Sequence, residues 1–337
     1  MPLPIADTQF FETTGVWIIK SLVIFIAVLA IVPMILLLER KLLGRFQNRY
    51  GPNRVGPYGL LQPLADVLKL LSKEQFHPAT GAPLLMSLAP AISIVTAVAS
   101  LAIIPFGDVT HGFGTQFGLY GIDVNVGILY AFAFGSLAFY GLMLGGWSSG
   151  SKYSFLGAMR AAAQLVSYEV SLTLALIGVV MMAGSLSLVS IVEAQHAIWY
   201  VLPQFLGFLI FMIAGFAETN RPPFDLPEAD AELVAGYNTE FGGMRFGSFF
   251  MAEYMNMIVI SGIAAAMFFG GWRGPGDGIF DVLWMLLKMF LIVCFFIWVR
   301  ATLPRPRYDQ LMSFGWKVLL PLATLNLLVT AVIVAVA

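Results

Sequence analysis

Charge is what this chain has least of. Of its 337 residues 11% are charged and 59% hydrophobic, whereas a soluble domain carries about 25% charged residues. So thin a supply cannot cover a water-facing surface of this size, which excludes a soluble enzyme. The single cysteine, Cys294, excludes an internal disulfide and an iron–sulfur cluster, which needs about four thiolates. The three histidines, His77, His111 and His196, stand far apart and offer no metal-ligand spacing. No phosphate-cradling loop with a following lysine is present. With 18 basic and 19 acidic residues there is no basic excess that would point to nucleic acid. These absences predict no metal site and no catalytic group on this chain, and place any redox centre or nucleotide on another polypeptide.

What the chain has instead is long apolar runs. A helix needs roughly 20 apolar residues to cross about 30 Å of hydrocarbon. Charge-free windows run Ser21–Leu38, Pro78–Gly107, Val124–Ser151, Val170–Val192, Ala194–Ala217, Tyr254–Trp272 and Val318–Ala337, and Val282–Val299 is interrupted only by Lys288. The runs are continuous, whereas barrel strands alternate. They predict an all-α integral membrane protein with eight transmembrane helices in a single domain, 1–337.

The basic residues fall on one side of these windows. Arg40, Lys41, Arg45, Arg49, Arg54, Lys69 and Lys73 lie between spans 1 and 2, Lys152 and Arg160 between spans 3 and 4. Arg221 and Arg245 follow span 5, and Arg300, Arg305, Arg307 and Lys317 follow span 7. Only Arg273 lies on the other side, while Lys20 and Lys288 fall within spans. The positive-inside rule then predicts cytoplasmic odd-numbered loops and both termini on the periplasmic side. No basic residue precedes Lys20, so the first segment lacks the positive start of a secretory signal and is expected to be retained. Gly141 with Gly145, and Gly146 with Gly150, predict close helix packing.

Two cytoplasmic loops stand out. In loop 39–77, Gly51, Pro52, Gly56, Pro57 and Gly59 forbid a long helix. Leu60, Leu61, Leu64, Leu68 and Leu71 then recur at helical spacing with Asp66, Lys69 and Lys73 opposite. This predicts an amphipathic surface helix over 60–75. Loop 218–253 is acidic: Glu218, Asp225, Glu228, Asp230, Glu232, Glu240 and Glu253 face only Arg221 and Arg245. The opposite charges of the two loops predict that they touch. Asp225 and Glu228 have capping-box spacing. Crowded carboxylates titrate as coupled groups, which suits a proton-passing element; a solvated acidic helix start that complements the helix dipole fits the same residues. Glu169 lies just inside span 4, about one turn below the cytoplasmic face, where a carboxylate is costly. Lys20 is expected to snorkel to the interface. Lys288 lies deeper, and a carboxylate from another subunit is a candidate partner.

ERKLLGRFQNRYGPNRVGPYGLLQPLADVLKLLSKE and AETNRPPFDLPEADAELVAGYNTEFGG closely resemble the two signature segments of one family. It is the quinone-site membrane subunit of respiratory complex I, the proton-pumping NADH:quinone oxidoreductase. SYEVS at 167–171, FFMAEYMNM at 249–257 and RATLPRPRYDQLM at 300–312 extend the resemblance over essentially the whole chain.

The resemblance implies a quinone entrance tunnel with Arg40, Asp66, Phe250 and Arg300 on its wall, shaped by spans 1 and 6 and the amphipathic helix. It implies an acidic loop facing the quinone chamber, with Glu218, Asp225, Glu228, Asp230 and Glu232, and a proton path that includes Glu169 and Glu253. Asp230 stands where glutamate is also common in the family, so its charge is kept on a shorter arm. Loops 39–77 and 218–253 would dock the peripheral arm. Quinone would be the substrate, with no cofactor bound by this chain alone. FMN and iron–sulfur clusters would sit on partner subunits, the last cluster near the quinone headgroup. Other membrane-arm subunits and lipid would complete the partners. A bacterial inner membrane is expected ahead of a mitochondrial one, and the residues do not separate ubiquinone from menaquinone. A related subunit of membrane-bound hydrogenases, coupling hydrogen evolution to ion movement, is the nearest alternative. A stand-alone secondary transporter is another, but no inverted repeat is visible.

Overall fold

The computed structural model describes residues 5–76, 78–112, 115–118, 120–227, 234–275 and 279–336. Helix α1 (Ile5–Phe46) carries the first apolar window and continues through Glu39–Arg45, so the basic loop begins later than the charge pattern suggested. The chain then turns through its Gly/Pro segment. Gly59 has φ +76°, and a Cβ there would lie 2.2 Å from the Pro52 carbonyl oxygen, so only glycine fits. Pro63 sits in the first turn of α2 (Gln62–Ser72), where its missing N–H costs nothing. Leu60, Leu61, Leu64, Leu68 and Leu71 are each more than half exposed. The amphipathic helix is present, with a shorter span than 60–75.

Helices α3 (Pro83–Leu101), α4 (Gly127–Ser148) and α5 (Lys152–Ala183) follow. Between α3 and α4 lies a small antiparallel hairpin, β1 (Val109–Gly112) with β2 (Thr115–Gly118), a departure from an all-helical chain. A Cβ on Gly141 would lie 2.1 Å from Ser93 Oγ, and one on Gly146 would lie 2.3 Å from Ala158 Cβ. The small residues thus let α4 approach α3 and α5 closely. Helix α5 starts at Lys152, so Lys152 and Arg160 are helical and Glu169 lies near the middle of a 32-residue helix.

The fifth span is shorter than its window. After α6 (Leu188–Ala194) the chain turns, and α7 (Phe205–Glu218) has 14 residues, about 21 Å at 1.5 Å per residue. The turn contains Pro203, which cannot donate in a helix ladder. Gln195 ties it down: its Nε2 donates to the Ala266 carbonyl at 2.8 Å, and its Oε1 accepts from the Gly270 N–H at 3.0 Å.

Helix α8 (Gly243–Phe268) starts well before its charge-free window. Arg245, Phe250 and Glu253 are therefore helical, and the acidic loop shrinks to 219–242. From Met257 to Phe268 every residue of α8 is buried; it is the axis of the core. Helix α9 (Ile279–Thr302) carries Lys288. The Lys288 ammonium donates to the carbonyls of Phe269 (2.8 Å), Gly271 (2.7 Å) and Arg273 (2.7 Å). It closes the chain just beyond α8, and the carboxylate expected from another subunit is not what holds it. Helix α10 (Tyr308–Phe314) passes through a π turn (Gly315–Leu319) into α11 (Leu320–Val336).

Among the described residues, six helical segments are long and apolar enough to cross a membrane, and the protein is a multi-pass membrane protein. The basic connections gather at one end of the bundle. Ala82 N–H donates to the Ser148 carbonyl at 2.9 Å, Arg245 reaches Ser87 Oγ at 2.8 Å, and Arg305 pairs with Asp225. The other connections meet at the opposite end, where Ile128 N–H donates to the Leu186 carbonyl at 3.2 Å and Ser187 Oγ donates to Asp123 at 3.1 Å.

Candidate functional site

Two cavity systems flank the start of α8. The first opens between α1, α2 and α8 with a volume of about 220 Å³, and Leu36, Arg40, Asp66, Phe250, Met251 and Tyr254 line its wall. Helical spacing builds the aromatic side of this wall, since residues four apart share a face. Phe246 stacks on Phe250 at 5.6 Å between centroids, and Phe250 meets Tyr254 at 5.2 Å. At the rim Arg40 Nη1 donates to Asp66 Oδ2 at 2.7 Å, and Gln62 Nε2 donates to Asp66 Oδ1 at 3.2 Å.

One residue earlier, Glu39 turns the other way and is buried. It accepts from Tyr254 Oη at 2.5 Å and from Arg300 Nη1. Arg300 thus reaches the cavity wall through Glu39 and Tyr254. The two unusual loops do meet, at α2 and the start of α8: a Cβ on Gly247 would lie 2.9 Å from Leu70 Cδ1. Two of their ion pairs, however, lead to the 300–307 segment, Glu39 to Arg300 and Asp225 to Arg305. Net charge alone hid that third segment.

The second system lies among α3, α4, α5, α7 and α8. Two small voids of about 30 and 40 Å³ share Gly135, Glu218 and Asn256 on their walls. Glu253 faces the first void and Glu169 the second. Glu218 is the last residue of α7. Its Oε2 is buried and has no hydrogen-bond partner among the described residues. Glu169 accepts from Ser136 Oγ. Asp225, buried in the loop, pairs with Arg305. The expectations for Glu228, Asp230 and Glu232, including the capping box, lie outside the described residues.

Arg221 joins the two systems. Its guanidinium carbon lies 3.9 Å from the Tyr254 ring centroid and 5.6 Å from that of Phe250. Its Nη2 stands 3.4 Å from Glu253 Oε2, and Tyr237 Oη donates to Glu253 Oε1 at 3.1 Å. A buried cation held between ring faces and a carboxylate combines cation–π and ionic attraction. Sequence reasoning counted Glu39 and Arg221 only as charge. Each stands beside charges of the other sign, Glu39 next to Arg40 and Lys41 and Arg221 between Glu218 and Asp225, a usable signal. Tyr237, Tyr254 and Asn256 lay in the recognised motifs but were given no role.

The geometry separates two kinds of chemistry. An apolar, aromatic-walled cleft with paired charges at its rim suits a long apolar molecule with a polar end. Carboxyls beside small, mostly apolar voids with room for a water or two suit protons passed between acids.

Helices of membrane-crossing length define an integral membrane protein, with a cleft beneath a surface helix and acids in its interior. The chain belongs to the NADH dehydrogenase family, whose model matches residues 19–331. It is 53% identical over 294 residues to the NADH-quinone oxidoreductase H-type subunit of Protochlamydia amoebophila, covering 87% of this chain and 90% of that relative. It is 52% identical over 311 residues to an H-type subunit of the Geobacter metallireducens NADH-quinone oxidoreductase, covering 92% and 94%. With the H-type subunit from Thermomicrobium roseum it shares 51% over 306 residues, covering 88% and 89%.

Proposed function

We propose that the chain is the membrane subunit of a proton-translocating NADH:quinone oxidoreductase that admits quinone and links its reduction to proton movement. The observation that carries this is the Tyr254–Arg221–Glu253 connection between an apolar cleft and voids lined by acids. The names of the relatives support the complex. Quinone enters from the lipid between α1, α2 and α8, past Arg40, Asp66 and Phe250, with Arg300 acting through Glu39. Its headgroup takes two electrons and two protons to become quinol in a chamber completed by peripheral-arm subunits. The electrons come from NADH through FMN and iron–sulfur clusters on those partners. Glu253, Glu218 and Glu169 form the route by which the event reaches the membrane interior, and the acidic loop with Asp225, Glu228, Asp230 and Glu232 borders the chamber.

The proposed topology has eight spans: α1, α3, α4, α5, α7, α8, α9 and the α10–α11 unit. The end where the basic connections gather is cytoplasmic, both termini are periplasmic, and the membrane is a bacterial inner membrane. Loops 39–77 and 218–253 dock the peripheral arm, and other membrane-arm subunits flank the bundle. The test is photolabelling of the assembled complex in membranes with a photoreactive quinone analogue. Label on α1, α2 or α8 of this chain is expected; label confined to other chains overturns the tunnel.

A further inference from the structure

Gln164, on α5, is fully buried. Its Nε2 lies 2.8 Å from the Ala217 carbonyl oxygen, 2.8 Å from the Phe224 carbonyl oxygen and 3.3 Å from Asn220 Oδ1. An amide nitrogen has two hydrogens, so the two short carbonyl contacts take them and the third is shared. Two carbonyl acceptors also fix which way the amide faces, since its own oxygen would repel them. Ala217 immediately precedes Glu218, and Phe224 closes the turn that follows it. Gln164 therefore grips that turn on both sides. One helical turn along α5, the Tyr168 ring lies 6.0 Å from the Phe224 ring, a second hold on the same segment.

Glu218 has little of its own to fix it. No hydrogen bond from a described residue holds its buried Oε2, so the backbone sets where its carboxyl points. The Gln164 Oε1 likewise has no partner among the described residues, and a buried unsatisfied acceptor carries a desolvation cost. An apolar side chain of equal length would fill the space without that cost. The contribution of the amide is its pair of donors.

We propose that Gln164 is a positioning residue: by clamping the turn after α7 to α5, it holds the Glu218 carboxyl at the voids it shares with Glu169 and Glu253. This rests on the proton-linked function proposed above. Misplacement of a reacting group by about 1 Å can cost up to 10²-fold in rate.

The experiment uses the complete complex in membranes and the substitution Gln164→Met, which keeps length and removes the donors. The expected result is unchanged NADH oxidation by an artificial acceptor at the flavin and quinone-linked turnover lowered about tenfold. The KM for quinone should not change, and the pH profile of turnover should be displaced. Added to Glu218→Gln, the same substitution should lower turnover by less than about twofold, because the two groups act as one unit. Wild-type turnover and pH profile in Gln164→Met overturn the proposal, as does a full independent loss on top of Glu218→Gln. Should Gln164→Met fail to assemble, Gln164→Asn is expected to give the same split of activities. Failure of both to assemble makes Gln164 a folding residue and overturns the proposal. Full turnover and pumping in Glu218→Gln alone brings down the functional reading itself, a separate result.

Discussion

The cleft between α1, α2 and α8 and the voids around Glu218 are neighbours with opposite electrostatic design. At the cleft every carboxylate has a cation beside it, Asp66 with Arg40 and Lys69, and Glu39 with Arg300. Its acids are thus held as paired carboxylates, and the rest of the wall is apolar. In the voids, among the described residues, Glu169, Glu218 and Glu253 have one cation nearby, Arg221, which reaches them through Glu253. Carboxyls with too few cations must share, shed or take up protons. On the proposed function, quinone binding and proton handling occupy neighbouring regions, and Arg221, in contact with Tyr254 and Glu253, bridges them.

The largest expected effect comes from removing that bridge. Arg221→Met leaves Glu253 buried without its cation, and breaking a buried pair costs roughly 3–5 kcal/mol. Both quinone affinity and pumping should fall, and the complex should melt at lower temperature in a thermal shift measurement. A variant that lost only one of the two activities would show that the regions are not joined there.

A smaller and one-sided effect is expected from Gly247→Val. The new side chain meets Leu70 on α2, whose Cδ1 would lie 2.9 Å from the added Cβ, and narrows the cleft. The KM for quinone should rise roughly tenfold, equivalent to about 1.4 kcal/mol, with the same number of protons pumped per quinone reduced. A changed proton ratio would break the proposed separation.

The smallest effect is expected from Arg40→Gln at the rim. The pair with Asp66 is solvent-facing on the arginine side, with 43% of that side chain exposed. Exposed pairs contribute about 0–1 kcal/mol. Thermal stability should hardly move, and the quinone KM should rise by no more than a few fold.

The gathering of Arg40, Asp66 and Phe250 at one cavity could be anticipated because long motifs carried it, and the amphipathic helix because leucines recur at its spacing. Helix ends were harder. A hydropathy window stops at a charge, so α8 was begun too late, at Tyr254. It also passes smoothly through Gln195 and Pro203, so the turn before α7 was invisible. Partners distant in sequence were beyond reach: Glu39 meets Arg300, Asp225 meets Arg305, and Lys288 finds backbone carbonyls. Gln164 gave no sign in the sequence, because a neutral amide does not interrupt an apolar run as a charge does.

Glu218→Gln tests the account most directly, because it removes the ionisable group common to both voids while keeping its shape. In membranes containing the whole complex, NADH oxidation at the flavin should stay at the wild-type level. Quinone-linked turnover and proton pumping should fall together by roughly a hundredfold, the low end of what a positioned proton-transfer group contributes. Full quinone turnover and full pumping in an assembled Glu218→Gln complex would contradict the account.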